Sequence, residues 1–239
     1  MYDRLRGNVT VFGLFLCAGI IVLGIFIKYG LTHLNDSHRT VTVRGLCERE
    51  VNANKVTWPI VSKEVGNYLP TIFSNVENTN KLIIKFLKEN GIEESEISIN
   101  PPAVIDLQAD RYSSYNQNPY RYNVTNVVVV TSSKVNKVNE LIKKQAELLK
   151  EGIAVVAGDY QYQTIYEYTD LNSIKPEMIE EATRNARSAA DKFAEDSGSK
   201  VGRIQTASQG QFSIEDRDQY TPYIKKIRVV SSIIYYLKD

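Results

Sequence analysis

The stretch PEMIEEATRNARSAADKFAEDS, residues 176–197, has the clearest structural pattern in the chain. Pro176 suits the first position of a helix, the glutamates behind it are stabilised at the positive N-terminal end, and Gly198 is a typical helix stop. The stretch predicts a helix with one narrow apolar stripe. Because most residues of the stripe are small, we expect the helix to pack close against a sheet. The stripe consists of Ile179, Ala182, Ala186, Ala189, Ala190 and Phe193.

Segments in which apolar and polar residues alternate, as in half-buried strands, surround this helix. Apolar residues at helical spacing, followed by glycine stops, predict two further helices over residues 61–90 and about 135–150. The predicted fold class is therefore α+β, with helices packed on one face of mixed or antiparallel sheets. The predicted strands cover residues 40–51, 96–107, 120–132, 155–168, 201–214 and 224–237.

The two halves of this region repeat the order strand, helix, strand, strand. In each half a helix-ending glycine is followed by an Asp-Arg pair, at Asp110 and at Asp216, and the polar loop closes with Pro-Tyr. We interpret this pattern as a duplicated βαββ unit, and a chance echo is the alternative. The predicted halves lie at about 39–133 and 155–238, joined by the helix over about 135–150.

The run VTVFGLFLCAGIIVLGIFI, residues 9–27, contains no charged residue. As a helix it would span about 28 Å at about 1.5 Å per residue, which matches the hydrocarbon core of a bilayer. A cleaved signal peptide has a shorter apolar core, and the bulky Phe15 and Leu16 before Cys17 argue against a lipoprotein signal. We predict an uncleaved signal anchor over 1–29, a linker over 30–38 and a folded domain over 39–239. Basic residues on the two sides of the run are nearly balanced, so charge does not decide the orientation.

Composition and residue types argue against several classes of function. The net charge is +1, with 29 basic and 28 acidic residues, which gives no support to a nucleic-acid partner. The two histidines, His33 and His38, lie in the predicted linker, so the folded domain has no histidine base for a Ser-His-Asp or Cys-His site. Cys47 reads as a buried free thiol. We expect a protein that is not an enzyme, with no catalytic residue, cofactor or metal, and carboxylate pairs are the one remaining route to catalysis.

Tyrosine is the one residue type in compositional excess, with 15 in all. Its side chain combines a large contact area with a polar tip, so exposed sets mark interfaces or sugar-stacking surfaces. Four alternating tyrosines over 160–168 are predicted to pack along one strand face. The candidate interface or ligand surface lies in the two polar loops and consists of Tyr112, Tyr115, Tyr120, Tyr220 and Tyr223.

Several stretches resemble the SIMPL domain family, and the resemblance covers residues 41–237. It points to the envelope-anchored bacterial branch of that family, which is related to periplasmic immunogenic and oxidative-stress defence proteins. The stretches are VTVRGLCEREVNANKVTWPI (41–60), YEYTDLNSIKPEMIEEATRNARSAADKFAEDSGSKVGRI (166–204), ASQGQFSI (207–214) and KKIRVVSSIIYYL (225–237).

The resemblance implies no catalytic residue, and it implies export to the periplasm or cell envelope, homo-oligomeric ring-like assembly and stress tolerance. It favours a single-pass protein of the bacterial inner membrane with its soluble domain in the periplasm. The expected function is that of a non-enzymatic, membrane-anchored protein that self-assembles and contributes to envelope integrity or stress tolerance. The alternative is a module that binds glycan, peptidoglycan or an envelope protein through the tyrosine-rich loops.

Overall fold

The chain is described by a computed structural model over residues 2–36, 39–109, 119–156 and 160–238. The helices are α1 (Tyr2–Asp36), α2 (Leu69–Glu89), α3 (Val135–Lys144), α4 (Ala146–Lys150) and α5 (Leu171–Asp196). The strands are β1 (Thr40–Asn52), β2 (Lys55–Gly66), β3 (Ile97–Ile99), β4 (Ala103–Asp106), β5 (Tyr122–Ser132), β6 (Ile165–Glu167), β7 (Lys200–Gln209), β8 (Ser213–Asp216) and β9 (Ile224–Lys238). Short 3-10 turns lie at Glu94–Glu96 and Tyr160–Tyr162.

Helix α1 holds the apolar run of the sequence. Its segment Gly13–Gly30 is long and apolar enough to cross a membrane, and none of that segment is buried against the rest of the protein. A signal sequence near an N-terminus passes the same test of length and composition. The helix continues to Asp36, through most of the segment predicted as a linker.

Two compact units make up the described chain, and β1 and β9 contribute to both. The α2 unit comprises residues 49–173 and 214–227. Its sheet has the order β3-β5-β2-β6 with β4 also paired to β5, and these pairings are antiparallel. Helices α2 and α3 supply apolar residues to the core of this unit. The fully or nearly buried core residues include Val56, Trp58, Ile60, Ile83, Leu87, Val128, Val130, Val138, Leu141 and Leu148.

The α5 unit comprises the described residues of 1–48, 174–213 and 228–239. Its sheet has the order β1-β9-β7, with β8 also paired to β9. Helix α5 packs on the sheet through Ala186 and Ala190, which join Val43, Ile233 and Tyr235 in one buried cluster. The buried residues of α5 are Met178, Ala182, Ala186, Ala190 and Ala194.

The closeness of α5 to β1 depends on one glycine. A Cβ atom on Gly45 would lie 1.9 Å from the Ala182 carbonyl oxygen and 2.4 Å from the Ala186 backbone nitrogen. No side chain fits into that space, because these neighbours are backbone atoms of the helix. The alanine stripe and Gly45 therefore act together, and they confirm the prediction of a close helix–sheet contact.

The α+β class is confirmed. Of the two predicted alternatives, mixed or antiparallel sheets, the structure has antiparallel sheets. The two sheets also share a strand order. In one, β3 and β4 pair with β5, which pairs with β2, and in the other, β7 and β8 pair with β9, which pairs with β1. Each outer strand is interrupted once. The chain order differs from two consecutive βαββ units, because β1 of the α5 sheet precedes β2 and because β6, the strand before α5, pairs with β2 in the other sheet. A duplicated βαββ unit stays a prediction.

The predicted start of the helix over residues 61–90 was wrong. Residues Val61–Gly66 belong to strand β2, whose register with β5 continues to the pair Gly66–Tyr122. Ladder hydrogen bonds and the burial of Val61 and Ser62 hold this segment extended, although its side chains are compatible with a helix. The helix begins at Leu69 instead, with Pro70 in its first turn, where proline is favoured.

The predicted strand over 155–168 is also largely wrong. Residues 157–159 lie outside the described residues. Val155 forms a single bridge with Ser62 of β2, Tyr160–Tyr162 forms a 3-10 turn, and a strand, β6, forms over Ile165–Glu167. Tyr160 is 88% exposed whereas Tyr166 is buried, so the alternating tyrosines do not share one packed face. The reason is that a regular period-2 face requires a continuous strand, and the 3-10 turn at Tyr160–Tyr162 interrupts the described part of this segment.

Helix α5 differs from its prediction in two details. It begins at Leu171, so that Pro176 lies inside the helix rather than at its first position. Phe193 is 63% exposed, and the buried stripe runs through Ala194 instead. A phenylalanine ring does not fit where the helix backbone contacts the sheet so closely. The predicted helix over about 135–150 is divided at Gln145 into α3 and α4.

Candidate functional site

The predicted tyrosine surface is only partly described by the structure. Tyr112 and Tyr115 lie outside the described residues. The exposed fractions of Tyr120, Tyr220 and Tyr223 are 43%, 87% and 36%. Tyr220 is therefore the one of these three whose side chain is almost wholly available to a ligand.

Tyr220 lies in a loop, residues 217–223, that is organised by Asp218 and that we call the Asp218 loop. The carboxylate oxygen Oδ1 of Asp218 accepts hydrogen bonds from the backbone N–H groups of Tyr220 and Thr221, each at 2.8 Å. Its Oδ2 accepts hydrogen bonds from the Thr221 hydroxyl and from Arg217 Nε. The Thr221 hydroxyl, together with these other donors, lowers the pKa of Asp218 to about 2. An ionised aspartate thus defines the turn, as aspartates commonly do.

The base of the Asp218 loop is connected to neighbouring strands. Arg217 Nη1 lies 3.4 Å from Glu50 Oε2 on β1, and the backbone N–H of Arg217 donates to the carbonyl of Ile224 at 2.9 Å. Lys225, which is buried, forms an ion pair with Asp216 beside the loop. The hydrogen bond to Asp218 raises the pKa of Arg217, so both groups stay charged at neutral pH. The loop backbone is therefore held at both ends.

Tyr223 packs within the α2 unit. Its ring meets the ring of Tyr166 edge-on with 6.2 Å between centroids, and its carbonyl accepts a hydrogen bond from the N–H of Ala53. Tyr166 in turn donates its hydroxyl hydrogen to Asn139, and burial raises the pKa of Tyr166. Within the described part of the chain, this pair is the one aromatic ring contact. The candidate tyrosines do not form a single stacked cluster there.

Strand β7 is a second exposed surface, and its exposure was not predicted from the sequence. Every residue from Arg203 to Gly210 is exposed, although most of them lie in a strand. Ala207 stands opposite Ile233, which is buried under α5, so α5 covers this part of β9 and leaves β7 uncovered. The signal available in the sequence is the run IQTASQGQFS, residues 204–213, which contains neither charge nor proline.

The register of β7 shows which backbone groups are unpaired. The N–H of Gly210 donates to the Val230 carbonyl at 2.8 Å, and Ser208 stands opposite Ser232 in the same register. Alternate residues of an antiparallel strand point their N–H and C=O groups to opposite sides. Those of Ala207 and Gln209 therefore point away from β9. Among the residues that the structure describes, no strand pairs with this side of β7.

The other sheet edges carry features that discourage further pairing. Strands β3 and β4 are separated by Pro101 and Pro102, which have no backbone N–H to donate. Strand β6 has three residues, one of which, Glu167, forms a 2.8 Å salt bridge with Lys55. On β1, the Leu46 carbonyl accepts a hydrogen bond from Asn185 Nδ2 at 2.8 Å. Residues 204–209 of β7, which we call the β7 edge, contain neither proline nor charge, and their register with β9 shifts between Ile204 and Thr206, an irregularity of the β-bulge type.

Contacts within the fold explain the shifted pKa values of the acidic groups. The hydrogen bond from Arg121 lowers the pKa of Asp106. Burial raises the pKa of Glu96, but hydrogen bonds from Ser132 and Lys134 outweigh it and the net pKa is lowered. A general acid near neutral pH requires a raised pKa.

Among residues 2–36, 39–109, 119–156 and 160–238, no group of three His, Cys, Asp or Glu side chains is arranged to hold a metal ion.

Comparison with known protein families shows to which family the chain belongs. The family model of SIMPL, described as a protein of unknown function (DUF541), matches residues 41–228. The chain belongs to the SIMPL family. The matched region runs from β1 into β9, so the SIMPL domain includes both the β7 edge and the Asp218 loop, and α1 precedes it. No curated protein matches the chain.

Proposed function

We propose that this SIMPL protein is a non-enzymatic, membrane-tethered protein that self-assembles on the extracytoplasmic side of a bacterial inner membrane. Its contribution there would be to envelope integrity or stress tolerance. The observation that carries the proposal is the exposure of β7 on both faces, together with an edge that no described strand pairs with. A strand edge that the described part of its own chain leaves unpaired is a template for pairing with another chain.

The anchor strengthens this proposal. If α1 spans a membrane, all copies of the domain are confined to one plane beside it. Confinement raises the effective concentration of one copy around another, so a modest contact is enough for association. Weak edge contacts of this kind would give little assembly from the same domain diluted in a large volume.

The charged groups also support a role that is not catalytic. The acidic residues with shifted pKa values pair with arginine, lysine or hydroxyl groups of the same unit, and none of the shifts is upward. The carboxylates of Glu96, Asp106 and Asp218 therefore maintain loops and turns. A binding or assembly function needs no further chemistry from them.

The proposal predicts a discrete oligomer. Native mass spectrometry of the full chain in detergent micelles, at micromolar concentration, is expected to give one multiple of the 27.1 kDa chain mass. The same multiple is expected after reconstitution into lipid nanodiscs large enough to hold several copies. A chain that is monomeric in both environments would contradict self-assembly.

A second candidate function is ligand binding by the Asp218 loop. It is favoured by one observation, the presentation of Tyr220 with 87% of its surface exposed on a loop whose backbone is held by Asp218. A rigid loop with an exposed ring loses little entropy when the ring stacks on a sugar or a peptide. The expected ligands are glycan or peptidoglycan fragments, or an envelope protein.

The test of this second function compares two tyrosines of equal exposure. Tyr220→Ala is expected to weaken binding to muropeptide fragments by about tenfold, because stacking contributes roughly 0.5–1.5 kcal/mol beyond burial. Tyr160→Ala is the matched control, since Tyr160 is 88% exposed and lies outside the loop. Isothermal titration calorimetry of the full chain measures both. Equal affinities for the two variants, or no binding by the unmodified chain, would rule out this function.

A further inference from the structure

We propose that Lys200, Arg203 and Lys238 bind a phosphate group on the face of the α5 sheet that points away from α5. We call these three residues the basic cluster. The ligand class is a phosphate ester, either a soluble one or the headgroup of an anionic lipid. This binding site goes beyond self-assembly and does not depend on it.

The charges of the two strands that carry the cluster are strongly one-sided. Strands β7 and β9 contain six basic residues and no acidic one, although the whole chain has a net charge of only +1. The six are Lys200, Arg203, Lys225, Lys226, Arg228 and Lys238.

Carboxylates of other strands balance some of these charges but not those of the basic cluster. Lys225 forms an ion pair with Asp216, and Arg228 Nε lies 3.8 Å from Glu48 Oε1. Lys226 also interacts with a neighbouring group. Within the described part of the chain, no residue of the basic cluster has a carboxylate partner. Its positive charge is therefore available to an anion from outside.

The register places two of the three cations directly against each other. Tyr235 belongs to the buried cluster under α5, so Tyr236 and Lys238 point to the opposite face of the sheet. Lys200 stands opposite Lys238 and shares that face. Like charges that are directly opposite each other destabilise a sheet, and an anion bound between them removes the repulsion.

Arg203 is brought to the same face by an irregularity of β7. The register with β9 shifts between Val201 and Ile204, so Gly202 and Arg203 together stand beside Tyr236. The guanidinium carbon of Arg203 lies 5.3 Å from the centroid of the Tyr236 ring. The ring therefore holds the arginine on the side of the sheet that carries both lysines.

Gly202 leaves room for the third cation. A Cβ atom at this position would lie 3.4 Å from Lys238 Cε and 2.9 Å from the Tyr236 carbonyl oxygen. The end of the Lys238 side chain thus lies over Gly202, the residue next to Arg203. All three side chains are exposed at their charged ends, so a ligand can reach them from solvent.

The charge and shape of the cluster favour phosphate over a carboxylate. A phosphate monoester carries about −1.5 to −2 charge at neutral pH and three strong acceptor oxygens, whereas a carboxylate carries one charge. A guanidinium that lies over an aromatic ring still offers its in-plane N–H groups, and these match two phosphate oxygens. The two lysines supply the point charges that neutralise the rest.

A phosphate titration followed by NMR tests the site. The full chain is held in zwitterionic detergent micelles, and inorganic phosphate replaces chloride at constant ionic strength. The backbone amide resonances of Gly202 and Arg203 are expected to shift and to saturate. The triple variant K200Q/R203Q/K238Q is expected to weaken binding at least about tenfold, because hydrogen bonds to charged groups are the strong ones.

The matched control is K143Q/K144Q/K150Q. It removes the same charge from exposed lysines of α3 and α4 and is expected to bind phosphate as the parent chain does. The thermal midpoint of K200Q/R203Q/K238Q in chloride should not fall below that of the parent, since the change relieves the repulsion between Lys200 and Lys238.

A second arm identifies the source of the phosphate. Native mass spectrometry of the full chain in the same micelles counts adducts of phosphatidylglycerol and of phosphatidylcholine. A lipid headgroup site gives phosphatidylglycerol adducts that the cluster variant loses and the control variant keeps. Saturable binding of inorganic phosphate with equal lipid adducts in both variants supports a soluble phosphate ester instead.

Three results would overturn the site. They are resonance shifts that do not saturate, shifts that leave Gly202 and Arg203 unaffected, and equal weakening in the two triple variants, which would show attraction to net charge alone. The oligomer mass decides the proposed function separately. A monomeric chain that binds phosphate at the basic cluster would overturn self-assembly and leave this site standing.

Discussion

Replacement of Gly45 by alanine is expected to lower the free energy of unfolding by about 3 kcal/mol, at the upper end of the usual cost of overpacking. The new Cβ would lie 1.9 Å from the Ala182 carbonyl oxygen and 2.4 Å from the Ala186 backbone nitrogen. A side chain can rotate away from such an overlap, but helix backbone cannot. Helix α5 must therefore move off β1, which opens the buried contacts of Ala186 and Ala190. Urea denaturation followed by circular dichroism measures the change.

The matched control for this prediction is Gly30→Ala. It makes the same chemical change at a position where a Cβ would meet nothing within 4 Å. We expect the unfolding of the sheet-containing units to be unaffected by this control. Equal stability of Gly45→Ala and the parent chain would show that α5 does not contact β1 as closely as described.

Replacement of Leu87 by alanine is expected to cost about 2–5 kcal/mol of unfolding free energy. Leu87 is fully buried on α2, and truncation removes apolar contacts and leaves a cavity in the core of the α2 unit. The single tryptophan of the chain, Trp58, is 3% exposed in the same core. Its fluorescence in a urea titration therefore reports on this unit directly.

Phe73→Ala on the same helix is the control for Leu87→Ala. Phe73 is 40% exposed, so its truncation opens to solvent and leaves no enclosed cavity, and it is expected to cost about 1.5 kcal/mol, less than Leu87→Ala. If the two variants unfold at the same urea concentration, the inward face of α2 has been assigned incorrectly. A smaller loss for Leu87→Ala than for Phe73→Ala would lead to the same conclusion.

The sequence alone was sufficient to predict those features of the fold that local chemistry decides. The apolar run of α1, the α+β class and the ends of the predicted helices depend on composition, on period and on single residues. Gly91 and Gly198, predicted to end helices, have φ angles of 80° and 67°, a region that glycine enters without steric cost. The small residues of α5 likewise predicted a close approach to a sheet, because side-chain volume limits how near two backbones can come.

Local sequence preference predicted the wrong secondary structure where strand pairing decides it. Residues Val61–Gly66 have side chains that a helix accepts, yet the ladder to β5 makes them strand. The segment over 155–168 alternates as a strand does, yet three of its residues pair with β2 as β6. Which backbone hydrogen bonds form depends on residues far away in the chain, and period-based reasoning does not include them.

The candidate surfaces show the same division. Composition pointed to the tyrosines of the polar loops, and among the described ones only the fold separates Tyr220, which projects from the Asp218 loop, from Tyr223, which packs on Tyr166. The exposure of β7 was not predicted, because an uncharged run reads the same whether it is covered or bare. The sequence by itself determined the anchor-like helix, the class and the family resemblance, since these reside in local pattern. Only the tertiary structure decided which strand edge the described chain leaves unpaired, because strand pairing depends on residues that are far apart in the sequence.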